Sequence, residues 1–343
     1  MTAGPRERGG SGPGGRVSPA APGVHGAVIS GCLGLELTAW ERDFFRDSDP
    51  WGFILFGRNI DTPDQIRRLT AELRAAVGRE APVLIDQEGG RVQRLRAPRW
   101  RDWAPPLGTP PAALALRFRL IAAELRALGI DADCAPVGDI AGPDTHPFLR
   151  DRCYGEDAAR VTAAARAVAE ALLAGGVLPV IKHLPGHGRA TADSHHDLPT
   201  VTAGLEELRA TDFAPFRALA DLPMAMTGHM RFPALDAENP TTFSPAVIRA
   251  IREEIGFGGL LMTDDIGMNA LSGAPGARAG RALAAGCDVV LHCNGTAEEM
   301  VEVAAASGRM GGEAAARAAR ALAARRAPAP FDLAAAEAAL ADG

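Results

Sequence analysis

Residues 82–94 read PVLIDQEGGRVQR: a strand-length apolar run, 82–85, that stops abruptly at Asp86-Gln87-Glu88 and closes on Arg94. An apolar run this short, bounded by proline and charge, reads as a buried strand. The same pattern recurs at 26–30, 52–56, 132–137, 177–181, 223–227, 259–263 and 288–291. Between these runs lie helical patterns over 38–46, 62–77, 111–128, 156–174, 205–220, 245–254 and 276–285, and alanine-rich segments from 296 onward complete the chain. Thr62-Pro63 and Ser244-Pro245 have the form of an N-cap followed by proline at the first helical position.

Strands that alternate with helices pair in parallel, because each crossover needs a helix. A closed (β/α)₈ barrel takes about 250 residues, and the stretch from residue 26 to 326 accommodates one with modest insertions. The fold class expected is therefore α/β, a single TIM-type barrel over residues 25–343. A doubly wound open sheet is the alternative, but no Gly-x-Gly-x-x-Gly turn follows the first strand to support it.

Bulk properties narrow the function. Of 343 residues, 47% are hydrophobic, and 36 Lys and Arg stand against 42 Asp and Glu, for a formal charge of −6. Such a balance disfavours nucleic acid as a partner. The five cysteines, Cys32, Cys134, Cys153, Cys287 and Cys293, match no zinc or disulfide spacing and read as buried thiols in a reducing, cytoplasmic setting. Residues 1–24, rich in Gly, Pro and Arg, lack the apolar core of a secretory signal and read as a disordered tail. No run approaches the ~18 apolar residues of a membrane span, so no membrane partner is expected.

A barrel does its chemistry on loops at the C-terminal ends of its strands. After 83–85 comes the Asp86–Arg94 segment; after Val180-Ile181 comes Lys182-His183-Leu184-Pro185-Gly186-His187-Gly188; after 261–263 comes Asp264-Asp265. His229 follows the sixth run, Asn294 the eighth, and the fourth leads to a loop containing Arg152. Charge and imidazole thus gather at one rim. Carboxylates together with Lys and Arg suit sugar hydroxyls, and glycoside cleavage needs a carboxylate at the anomeric carbon plus a group that gives and takes a proton.

The segments IDQEGGRVQR at 85–94, KHLPGHG at 182–188 followed by TADSHHDLP at 191–199, and MTDDIGM at 262–268 resemble glycoside hydrolase family 3. More closely, they resemble its single-domain, cytosolic bacterial β-N-acetylglucosaminidases, also called β-hexosaminidases. The resemblance implies a retaining hydrolase acting in peptidoglycan recycling, with Asp264 as nucleophile and Asp193 with His195 as the acid/base pair. A carboxylate two residues from an imidazole can fix its tautomer and stabilise the imidazolium. The Gly186-to-Gly188 stretch is expected to let that loop move over the substrate. By the same resemblance Asp86, Arg94, Arg152, Lys182 and His183 bind the sugar. Glu88 is expected to order the glycine-rich turn, and Asp265 to cap or support.

The partner implied is a small carbohydrate, an N-acetylglucosaminyl-anhydromuropeptide or a chito-oligosaccharide. No cofactor or metal is expected, and the working expectation is a monomer. Two rival readings stay open. One is a phosphorylase that passes the sugar to phosphate; the other is a metal-dependent hydrolase using His183, His187, His195, His196 and Asp264.

Overall fold

The computed structural model describes residues 24–190 and 198–341. Residues 1–23 of the N-terminal tail, and both Asp193 and His195, lie outside the described residues. Eight parallel strands close into a barrel: β1 (Gly26–Gly31), β2 (Pro50–Leu55), β3 (Val83–Ile85), β4 (Ala132–Asp133), β5 (Leu178–Leu184), β6 (Met224–Thr227), β7 (Leu260–Asp265) and β8 (Val289–His292). They follow one another in chain order round the ring. The seam joins β1 to β8 in the register Val28 to Val290.

Helices α1 (Ala39–Ser48), α2 (Pro63–Val77), α3 (Pro111–Ala127), α4 (Ala158–Ala174), α5 (Leu205–Ala210), α6 (Phe213–Ala218), α7 (Pro245–Glu253), α8 (Pro275–Ala285), α9 (Ala297–Ser307), α10 (Gly312–Ala323) and α11 (Leu333–Ala341) surround and follow the strands. Thr62 and Ser244 cap α2 and α7 through their hydroxyls, each followed by proline. This satisfies a backbone donor that the helix itself cannot. The single helix expected over 205–220 is two. Pro215 has no N–H to donate to the carbonyl of Thr211, so an unbroken helix would lose a bond there.

Side chains alternate along each strand. Ile54, Leu84, Val180, Met224, Met226, Leu260, Met262 and Leu291 fill the barrel interior. Phe53, Leu55, Val83, Ile85, Ile181, Ala225 and Leu261 face the helices. The alternation carries the chemistry. Two residues beyond Leu84, Val180 and Met262 on the interior side stand Asp86, Lys182 and Asp264. Strands β5 and β7 also run further than the apolar runs, through His183 and Asp265. β4 is shorter than its run because Pro136 cannot join the ladder as a donor.

The opposite end of the barrel is pinned by three aspartates, each just before a strand. Asp49 pairs with Arg79 and Arg309 and with His25; Asp131 with Arg74 and Arg325; Asp288 with Arg252 and Arg317. Asp131 and Asp288 also accept the backbone N–H groups of Val83 and Leu261. All five cysteines are buried and free. Among the described residues no helix is long and apolar enough to cross a membrane.

Candidate active site

A cavity of about 510 Å³ opens at the C-terminal end of the strands, lined by Asp86, Arg94, Arg152, Lys182, His183, His187 and Asp264 among others. Six of the expected site residues therefore meet in one place, although they come from the ends of β3, β5 and β7 and from two loops. Asp86 is the hub on one side. Its oxygens take Lys182 Nζ and Arg94 Nη2, both at 2.9 Å. Burial alone would push its carboxyl up, but the Lys182 and Arg94 charges hold it well below the usual range.

Glu88 does more than order its turn. It is buried, takes Arg152 in a two-pronged bond at 2.8 and 2.9 Å, and lies 2.6 Å from Lys182 Nζ. Burial opposes its charge, yet Arg152 and Lys182 outweigh burial and keep it ionised. Lys182 is in turn held above its usual range against burial, by Asp86 and Glu88. Two carboxylates and three cations thus form one continuous network, in the order Arg94, Asp86, Lys182, Glu88, Arg152. Removing one partner would leave a buried charge uncompensated.

His183 is fixed at both nitrogens. Arg152 Nη2 lies 3.2 Å from Nε2 and can only donate, so Nε2 accepts and the Nδ1–H donates to Asp139 Oδ2 at 2.7 Å. Asp139 also accepts the His187 backbone N–H at 2.7 Å. The sequence reading did not single out Asp139; it stands in a loop without a motif of its own. His187 meets His183 edge to face, with ring centroids 5.4 Å apart. Its ring nitrogens have no hydrogen-bond partner among the described residues. Burial pushes the His187 imidazole down to about 3, so it borders the cavity as a neutral ring.

Gly186, His187 and Gly188 are all buried. A Cβ on Gly188 would overlap the carbonyl oxygen of Ile140. Close packing against the loop after β4 is what demands glycine at 188; the loop that this stretch was expected to let move lies outside the described residues.

At the end of β7 the paired aspartates separate in role. Asp264 Oδ1 accepts the Asp265 N–H at 2.8 Å, and Oδ2 has no hydrogen bond among the described residues. Burial works against its charge, but His229 and His183 pull its carboxyl below the usual range. Asp265 moves the other way, raised by burial and by the neighbouring Asp264 charge, and its Oδ1 accepts from Gly267 N and Cys293 N. His229, expected only as a rim residue, is a buried strut. Its Nε2–H donates to the Asp265 carbonyl at 2.9 Å while Nδ1 accepts from Thr242. The peptide beside Asp264 is therefore held from β6.

Among the described residues, no group of three or more His, Cys, Asp or Glu is arranged to hold a metal ion. His183, one member of the metal set considered from sequence, already spends both nitrogens on Asp139 and Arg152.

An eight-stranded barrel whose C-terminal cavity is lined by a carboxylate with one oxygen uncommitted among the described residues, together with a network of carboxylates and cations, has the parts that a glycoside hydrolase needs. Residues 39–323 match the family described as glycosyl hydrolase family 3 N terminal domain, and the chain belongs to that family. It is 39% identical to a β-hexosaminidase of Stenotrophomonas maltophilia over 281 residues, 78% of this chain and 83% of that one. A β-hexosaminidase of Methylococcus capsulatus is also 39% identical, covering 76% and 81%. Among solved structures, NagZ from Neisseria gonorrhoeae, in complex with N-trifluoroacetyl-D-glucosamine, superposes with a TM-score of 0.80 at 30% identity, over 92% of this chain and 94% of that one. The chain is thus a family 3 member of the NagZ type.

Proposed function

We propose that the enzyme is a retaining exo-β-N-acetylglucosaminidase that releases terminal β-linked N-acetylglucosamine through a covalent intermediate. The observation that carries this reading is Asp264: a carboxylate kept ionised at the end of β7, with one oxygen uncommitted among the described residues. In the first step that oxygen bonds to the anomeric carbon as the glycosidic bond breaks, and the imidazolium of His195 gives its proton to the departing oxygen. In the second step His195 takes a proton from water. The water oxygen then bonds to the anomeric carbon and the ester to Asp264 breaks. Asp193 is assigned to hold the imidazole and to stabilise its charged form.

Asp86, Lys182, Arg94 and Arg152 are assigned to the sugar's polar groups; His183, whose two nitrogens are taken by Asp139 and Arg152, is assigned to the sugar as a ring lining the cavity wall. Each Asp86 oxygen still has a lone pair for a hydroxyl proton after its ion pair is made. Arg152 has less to give: Nε and Nη2 are committed to Glu88 and His183, leaving Nη1 for a ligand. The natural substrate is proposed to be an N-acetylglucosaminyl-anhydromuropeptide, handled in the cytoplasm during peptidoglycan recycling. The motif resemblance and the likeness to NagZ support this.

The test is hydrolysis of an aryl β-N-acetylglucosaminide beside the matching β-glucoside, with wild type and D264N, following the anomer first released by NMR. Turnover of the acetamido sugar alone, lost in D264N and giving the β-anomer first, is expected. Turnover of neither sugar, or inversion, would overturn the reading.

A further inference from the structure

Three cations in the cavity wall are matched by carboxylates: Arg94 by Asp86, Lys182 by Asp86 and Glu88, and Arg152 by Glu88. Arg91 lines the same cavity and is different. Its side chain makes no hydrogen bond and no ion pair among the described residues. It is held by an aromatic face, with the guanidinium 5.6 Å from the centre of the Phe148 ring. Contact of this kind places a guanidinium while leaving its in-plane donors unused.

The backbone under Arg91 is fixed. With Gly90 it makes up the two-residue turn between the short strands Gln87–Gly89 and Val92–Gln93. Gly90 has a positive φ of 59° and donates its N–H to the Trp103 carbonyl at 2.7 Å. Arg96 Nη2 donates to the carbonyls of Gly90 and Arg91 at 3.2 and 2.9 Å. The donor fork is thus presented from an anchored turn, which lowers the ordering cost of binding a ligand.

Depth gives the ligand's position. Lys182, Arg152 and Glu88 are buried, whereas Arg91 is exposed. If an exo-acting enzyme holds the terminal sugar in the closed end, its leaving group faces outward, toward Arg91. We propose that Arg91 forms a leaving-group subsite that recognises a carboxylate carried by the aglycone. The proposal rests on the N-acetylglucosaminidase reading and adds to it the residue that meets the leaving group's carboxylate.

The test compares two aryl β-N-acetylglucosaminides that differ only in a free carboxylate or its methyl ester on the aryl ring. The ratio of variant to wild-type kcat/KM on each cancels their difference in leaving-group acidity. The R91Q variant is expected to lower kcat/KM on the carboxylate, through KM, by about two- to fivefold more than on the ester, as an exposed ion pair predicts. R91K should keep part of the preference, and the preference should fade toward 1 M salt, where the screening length is about 3 Å. Equal effects of R91Q on both glycosides, or a ratio indifferent to salt, would overturn the proposal. Inorganic phosphate that accelerates ester turnover in wild type but not in R91Q, with sugar 1-phosphate formed, would also overturn it, by making the anion an acceptor. Turnover of neither glycoside by wild type would sink the parent reading and this one with it.

Discussion

At one end of the barrel Asp49, Asp131 and Asp288 each hold two arginines; at the other, Asp86 and Glu88 share Lys182 and take one arginine each. The chemistry of the pairs is the same and the arrangement is not. At the N-terminal end the aspartates use their remaining capacity on strand N–H groups or a histidine, so the bonds tie helices and loops to strand starts. At the C-terminal end the network borders a cavity and keeps acceptors and donors for a ligand. Barrels commonly divide their ends this way, stability at one and chemistry at the other. The division teaches that counting ion pairs does not find a site; unused hydrogen-bonding capacity facing a cavity does.

The comparison breaks first at Asp264. D264N should lose roughly 10⁴-fold or more in kcat while its melting temperature stays near that of wild type. Turnover that persists would move the nucleophile elsewhere. Next, E88Q should lower unfolding free energy by about 3–5 kcal/mol, because Arg152 is left buried without its carboxylate, and should raise KM as well. Denaturant melts and kinetics on the same preparation check both. If E88Q shifts stability alone, Glu88 belongs with the N-terminal clamps.

D288N should behave in that second way, losing about 1.5–3 kcal/mol with KM unchanged at 25 °C. A raised KM would show that the two ends are coupled through the strands.

The last effect has the opposite sign. Burial raises the Asp133 carboxyl to about 8, and its Oδ2 has no hydrogen-bond partner among the described residues. The unfolded chain ionises this group near 3.9. Between those values the folded protein binds more protons, so rising pH costs stability. D133N should remove that slope, and its advantage over wild type should be larger at pH 7.5 than at pH 5. A constant difference would show that Asp133 is not protonated in the fold.

Much of this was legible in the residues. All eight strands fall within the expected runs or overlap them, because a barrel strand buried on both faces is uniformly apolar and stands out between charged turns. Six of the eight site residues expected from sequence sit around one cavity, and the other two, Asp193 and His195, lie outside the described residues. What sequence missed were the residues that act by position. Asp139 stands in no motif, and Glu88, inside one, was expected only to order its turn; their importance comes from His183 and Arg152, 44 and 64 residues away. Strand ends were also missed. An apolar reading stops at the first charge, yet β5 and β7 continue through Lys182 and Asp264 because the barrel neutralises those charges.

The seam between β1 and β8 has a consequence for how the protein is made. Val28 must pair beside Val290, and roughly 260 residues separate them, which at about 5–20 residues per second is on the order of 13–50 s of synthesis. Throughout that interval the growing chain offers two bare strand edges, each a template for pairing with another chain. Yield in a fast expression host is thus set by a race between elongation and ring closure. Slower translation at low temperature should raise the soluble fraction without altering the folded enzyme.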